Sequence, residues 1–140
     1  RQQLQAHSVY PGTCRKESPP AKTPNAARLK VDGLDVHFDD LIQGMQSVSM
    51  AESVGDFVIR RKDMLFSYQL AAAVDDHAQQ ITRVVRGADL LDSSFKQITI
   101  MRMLGAEVPQ YAHVPVIVNA LGEKLSKQAL LGGICKAHLG

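Results

Sequence analysis

The sequence predicts an α/β fold with an open, mainly parallel sheet. Short runs rich in β-branched and aromatic residues, DFVIRR, ITRVVRG and HVPVIV, alternate with stretches of helix-forming residues. Gly87 closes the second of these runs, and Gly105 closes the second helical stretch. With 45% apolar and 21% charged residues, the 140-residue chain has ordinary globular composition and length enough for one domain with a core.

The elements follow in order. Residues 11–26, PGTCRKESPPAKTPNA, hold four of the six prolines and are expected to be irregular, because proline fixes φ and removes a donor. RLKVDG reads as a short strand. VHFDDLIQGMQSV alternates loosely, and its Asp pair and Gly44 favour a strand over a helix. DFVIRR opens the clearer part as a strand of five or six residues. FSYQLAAAVDDH reads as a helix ending near its Asp pair, and ITRVVRG as the next strand. SSFKQITIMRMLG reads as a helix capped by Ser93 or Ser94 and ended by Gly105, with Ile98, Met101 and Leu104 on one buried face. HVPVIV is the third strand, leading into NALGEKLSKQ. Strand, helix, strand, helix, strand is the rhythm of βαβ units, whose ligands sit beyond the carboxyl ends of the strands.

Charge excludes little. A net charge of +2 and a pI near 8.6 permit a nucleic-acid partner without arguing for one. No apolar stretch is long enough to span a bilayer, so no membrane partner is expected. Cys14 and Cys135 form no C-x-x-C pair, which favours a reducing cytoplasm. The opening RQQLQAHSVY and the closing ICKAHLG lack the marks of a domain boundary, and the chain is expected to be a piece of a longer protein.

Several side chains could carry chemistry. Arg86, at a strand end before Gly87-Ala88-Asp89, could take a carboxylate bidentately or pair on the surface with Asp89 or Asp92. Tyr68, at the start of the preceding helix, could hydrogen-bond a small polar ligand or serve as a core aromatic. Asp75-Asp76-His77 suits capping, a salt bridge or the lining of a pocket better than a shared metal, because adjacent helical residues diverge. Tyr10 and Cys14 stand four apart and could ligate zinc, but a structural site needs four ligands. Lys124 and Lys127, around Leu125-Ser126, suit either a solvated loop or a loop that puts an ammonium on a triphosphate while Ser126 donates beside it.

The run DFVIRRKDMLFSYQLAAAVDDHAQQITRVVRGADLLDSSFKQI, followed by YAHVPVIVNALGEKLSKQ, resembles the catalytic core of class I glutamyl-tRNA synthetases, densely over residues 56–128. RGADLLDS in place of the usual RGEDHLSN, and KLSKQ in place of KLSKR, bring it nearest to the short branch that attaches glutamate to queuosine of tRNA(Asp). The resemblance implies a Rossmann-like catalytic domain, with residues 1–50 a remnant of a zinc-binding or connective insertion and 51–140 the domain's carboxyl half. Tyr68 and Arg86 then match positions that bind L-glutamate. KLSKQ matches the signature loop usually written KMSKS, with Lys127 its ATP-contacting lysine and Lys124 and Ser126 beside it. Tyr10 and Cys14 match the last two ligands of a zinc site of form C-x-C…Y-x-x-x-C.

The implied substrates are L-glutamate, ATP with Mg2+, and queuosine-bearing tRNA(Asp), and the implied metal is Zn2+. The resemblance also implies that the queuosine branch activates glutamate without tRNA, whereas ordinary members need their tRNA. Departures are few: AAAVDD for AVVVDD, Gln80 where glycine is common, and Arg83 where histidine is common. A HIGH-like motif and the first two zinc cysteines have no counterpart here, so this stretch is expected to be inactive by itself, and a cut sheet edge invites self-association. Other expectations are a piece of an ordinary glutamyl-tRNA synthetase, or a synthetase-like module that binds tRNA or ligand without activation.

Overall fold

The computed structural model describes residues 9, 10, 12–16 and 24–117. The elements run α1 (Thr13–Lys16), β1 (Ala27–Leu29), β2 (Asp35–Asp40), β3 (Gly44–Ser49), α2 (Met50–Ser53), β4 (Phe57–Arg60), α3 (Tyr68–Ala78), β5 (Arg83–Gly87), a 3-10 turn (Ala88–Leu90), α4 (Leu91–Met103) and β6 (Gln110–Val114).

Four strands make a mixed sheet in the order β3-β2-β6-β5. β5 and β6 pair in parallel from Arg83↔Gln110 to Gly87↔Val114, with α4 between them in the chain, a true βαβ unit. β2 joins the other side of β6 in parallel at Asp40↔Tyr111, and β3 folds back antiparallel on β2. The α/β expectation holds, with two of the three pairings in this sheet parallel. The expected division at residue 50 does not part this sheet, because β2 and β3 lie before it and β5 and β6 after it.

Five expectations are corrected. DFVIRR forms β4, but β4 pairs antiparallel with β1 in a separate two-stranded sheet, so it does not begin a βαβ unit. VHFDDLIQGMQSV is a hairpin rather than one strand: Asp40 pairs with Gly44, whose φ of +73° suits glycine at the turn. α4 begins at Leu91, before Ser93 and Ser94, so neither serine caps it. It is also buried on more than one face, with Phe95, Gln97, Ile98, Thr99, Ile100 and Met101 all inside, while Leu104 is exposed beyond its last turn. The third strand starts earlier, at Gln110, and shares only His113 and Val114 with HVPVIV, because Pro115 has no N–H to extend the ladder past Val114.

Other signals are legible in detail. Gly105, at φ +68°, ends α4 in a Schellman motif: its N–H donates to the Arg102 carbonyl, and Ala106 N–H donates to Met101. α3 ends at Ala78, followed by Gln79 and then Gln80 at φ +54°. A left-handed conformation costs a non-glycine residue roughly 1–2 kcal/mol, a cost that glycine at this position would avoid.

The core gathers Val31, Val36, Met50, Phe57, Ala73, Phe95, Ile98, Met101 and Tyr111. Phe38 bridges it, with its ring 5.4 Å from Phe95 and 5.5 Å from Tyr111, in the tilted geometries that aromatic quadrupoles favour. At the other end, Arg15 grips buried Asp56 with Nε and Nη2 at 2.6 and 2.5 Å, and the same carboxylate accepts Val31 N–H. That fork holds the Asp56 carboxyl below its ordinary range, against the opposing effect of burial. It ties α1 to the β1–β4 pair.

Candidate active site

Period-two alternation sets the site. Along β5, Val84 and Arg86 face the α4 side while Val85 is exposed, and the parallel register sets Val84 beside Tyr111 and Arg86 beside His113. Arg86 is therefore planted at the carboxyl end of β5, half-buried, next to a fully buried histidine. Gly87 follows it for a steric reason. A Cβ there would stand 2.3 Å from an Asp89 carboxylate oxygen and 3.3 Å from Val116.

Arg86 is not the surface pair with Asp89 or Asp92 that its neighbours allowed. Its Nε donates to His113 Nε2 at 3.2 Å and its Nη2 to Ser94 Oγ at 2.5 Å, while its guanidinium carbon sits 5.2 Å from the Tyr111 ring centroid. Behind it, His113 Nδ1 meets Asp40 Oδ2 at 2.5 Å, and Ser94 Oγ lies 2.8 Å from His113 Nε2. Asp40, Ser94 and His113 are all buried. Asp40 Oδ1 also accepts the backbone N–H groups of Ile42, Gln43 and His113, so one carboxylate shapes the hairpin turn and fixes the histidine. Burial opposes its charge, but these donors and the imidazole outweigh it and bring the carboxyl down to about 2.

Tyr68 opens α3 immediately after Ser67, whose hydroxyl faces Leu70 N–H in the capping position. Tyr68 is exposed rather than a core aromatic. Tyr68, Asp76 and Arg86 all act on the Tyr111 phenol. Burial pushes that phenol up to about 12, the Arg86 charge works against this, and Asp76 and Tyr68 add to it. Asp76 is itself raised, first by burial and with Asp75 adding, while Arg86 opposes the rise. Tyr68, Asp76 and Arg86 thus lie close enough to the Tyr111 phenol for each to affect it.

Guanidinium carries five N–H donors. The bonds to His113 and Ser94 take one from Nε and one from Nη2. The terminal nitrogens keep donors in one plane, the arrangement that takes a carboxylate end-on. The site offers an anchored cation, an exposed phenol and a flanking carboxyl.

Other sequence-predicted residues are not gathered here. Lys124, Ser126 and Lys127 lie outside the described residues, as does the Cys14 side chain. Tyr10 has the Arg28 guanidinium 4.0 Å over its ring. Among the described residues no group of three His, Cys, Asp or Glu stands close enough to hold a metal, and Tyr10 with Cys14 makes only half of a tetrahedral zinc set. No helix among the described residues is long and apolar enough to cross a membrane. Sequence reasoning missed Asp40, Ser94 and His113 as a group. They come from a hairpin end, a helix interior and a strand, and no spacing signals their meeting.

Comparison with known proteins identifies the family of this fold. The family model for the catalytic domain of class I tRNA synthetases (E and Q) matches residues 8–134. A glutamyl-Q tRNA(Asp) synthetase of Ralstonia nicotianae is 54% identical over 123 residues, covering 86% of this chain and 39% of the relative. One from Geobacter sulfurreducens is 50% identical over 119 residues, covering 85% and 38%. The chain thus spans about two fifths of the length of these relatives. Among solved structures, a glutamate tRNA ligase of Elizabethkingia meningosepticum, in complex with its amino acid, superposes with a TM-score of 0.68 at 30% identity, covering 83% of this chain and 22% of that one.

Proposed function

Because this chain belongs to the catalytic-domain family of class I glutamyl- and glutaminyl-tRNA synthetases, we propose that the complete protein activates L-glutamate with ATP and transfers it to queuosine of tRNA(Asp). The observation that carries the amino-acid half of this reading is the anchored Arg86 guanidinium at the end of β5, with donors to spare. The choice of branch rests on the glutamyl-Q names of relatives at 54% and 50% identity, against 30% for the solved glutamate ligase.

In activation, a glutamate α-carboxylate oxygen attacks the α-phosphorus of ATP, and the bond to pyrophosphate breaks. The α-carboxylate is the reacting group, so Arg86 holds the side-chain carboxylate and Tyr68 orients the amino acid. A fork built for a carboxylate rejects the amide of glutamine, whose NH2 would face guanidinium donors. Lys124, Ser126 and Lys127 contact the ATP phosphates, where lysine acts as a point charge on developing negative charge, and Mg2+ accompanies the nucleotide. A queuosine hydroxyl then attacks the glutamyl carbonyl and AMP leaves. Tyr10 and Cys14 serve as two ligands of a structural zinc, with no part in either step. The protein works in the cytoplasm.

Glutamate-dependent ATP–pyrophosphate exchange by the complete protein, with no tRNA present, tests this reading. Exchange is expected without tRNA. Exchange that starts only when tRNA(Glu) is added would make it an ordinary glutamyl-tRNA synthetase. Its absence under both conditions would leave a non-catalytic binding module.

A further inference from the structure

From the buried chain behind Arg86, we infer that Asp40, His113 and Ser94 are positioning residues, which hold the guanidinium in the one orientation that presents its terminal donors to the glutamate side chain. This rests on the reading of Arg86 as the glutamate-binding residue. The polarity of the chain follows from donor inventory alone. Arg86 can only donate, so His113 Nε2 must accept, and the ring proton sits on Nδ1, facing the Asp40 carboxylate at 2.5 Å. Asp40 is held in turn by three backbone N–H groups, two from the hairpin turn and one from His113 itself. Ser94 closes the figure, accepting from Arg86 Nη2 and lying 2.8 Å from His113 Nε2, with the Leu90 carbonyl at 3.3 Å as a second acceptor for its hydroxyl.

Burial makes the chain rigid. His113 and Ser94 have no exposed surface and Asp40 has 3%, so each polar group has few partners besides the others. The ring is wedged further by stacking on Tyr111, at 5.8 Å between centroids and 11° between planes. An arginine side chain has four rotatable bonds, and fixing them before substrate arrives removes that entropy from the cost of binding. The same four groups join the β2–β3 turn, β6, α4 and β5.

Two substitutions at one position separate positioning from packing. In His113→Asn the amide reaches the Nδ1 position and keeps the bond to Asp40, but leaves nothing where Nε2 accepted. In His113→Gln the longer amide brings an acceptor oxygen to the Nε2 position. In the exchange reaction of the complete protein, His113→Asn is expected to raise the KM for glutamate about tenfold, the usual weight of a hydrogen bond to a charged group. The KM for ATP should change less than about twofold, and His113→Gln should restore most of the glutamate KM. Equal effects of the two variants, or glutamate and ATP constants rising together, would mean a merely structural histidine and overturn the inference.

A ligand-free measurement stands beside this one. Nitrogen-15 NMR of the ring should find Nδ1 protonated and Nε2 accepting, with the Arg86 Nε–H protected from exchange. A proton on Nε2 would overturn the inference whatever the kinetics say. A wild-type protein without glutamate-dependent exchange would overturn the functional reading and the substrate named here. The tautomer would then still report whether the anchor exists.

Discussion

Replacing Arg86 with alanine is expected to lower kcat/KM for L-glutamate in pyrophosphate exchange by about two to three orders of magnitude, because truncating one partner of a hydrogen-bonded charge pair costs roughly 2–5 kcal/mol. Selection of glutamate over glutamine should fall with it, while the KM for ATP stays nearly constant. Arg86→Lys keeps the charge and loses the fork. An ammonium cannot bond His113 and Ser94 while also presenting a planar pair of donors, so most of the loss should remain. Steady-state kinetics with glutamate and ATP varied separately decides the matter. A lysine variant near wild-type activity would show that only the charge at this position counts.

The second large effect is on stability. Asp40→Ala strips the acceptor from three backbone N–H groups and from the His113 ring inside the protein. Each group left unsatisfied costs about 1–3 kcal/mol, and removing one partner of a buried pair costs about 3–5. A loss of about 3 kcal/mol or more is therefore expected in chemical denaturation. Its neighbour Asp39 is exposed, and Asp39→Ala should stay within about 0.5 kcal/mol.

Acid adds a signature to the same residue. The Asp40 carboxyl titrates at about 2 in the folded chain, against 3.8 ordinarily. Its charge therefore stabilises the fold fully above pH 4 and progressively less as the pH falls towards 2. The difference is worth about 2 kcal/mol. Asp32 and Asp56 are also lowered and contribute to acid sensitivity in every variant. Asp40→Asn should lack only the share due to Asp40, so identical acid dependence in wild type and Asp40→Asn would refute the assignment.

What the sequence disclosed was local or motif-borne. α3, β5 with Gly87, and α4 with Gly105 are visible because β-branched runs, helix formers and a left-handed Gly105 are each decided within a few residues. The hairpin is half visible: the Asp pair and Gly44 disfavour a helix, but the turn depends on Asp40 accepting from Ile42 and Gln43, which alternation does not reveal. The partner of β4 was hidden, because a short strand such as Phe57–Arg60 looks the same in a parallel sheet as in an antiparallel pair with β1. α4 misled in a different way. The spacing of Ile98, Met101 and Leu104 predicts one buried face, yet Gln97 and Thr99 are buried as well. Of the site, Arg86 and Tyr68 are legible because they sit in a recognisable run. Asp40 and His113 meet across 73 positions of chain, so only the folded sheet could join them.

The most direct test of the central claim is transfer. Labelled L-glutamate, ATP and the complete protein would be offered three RNAs: tRNA(Asp) carrying queuosine, the same tRNA(Asp) lacking it, and tRNA(Glu). Label is expected on the queuosine-bearing tRNA(Asp) alone, in a linkage that leaves the terminal ribose free. Label on the terminal ribose of tRNA(Glu), with none on queuosine, would contradict the account.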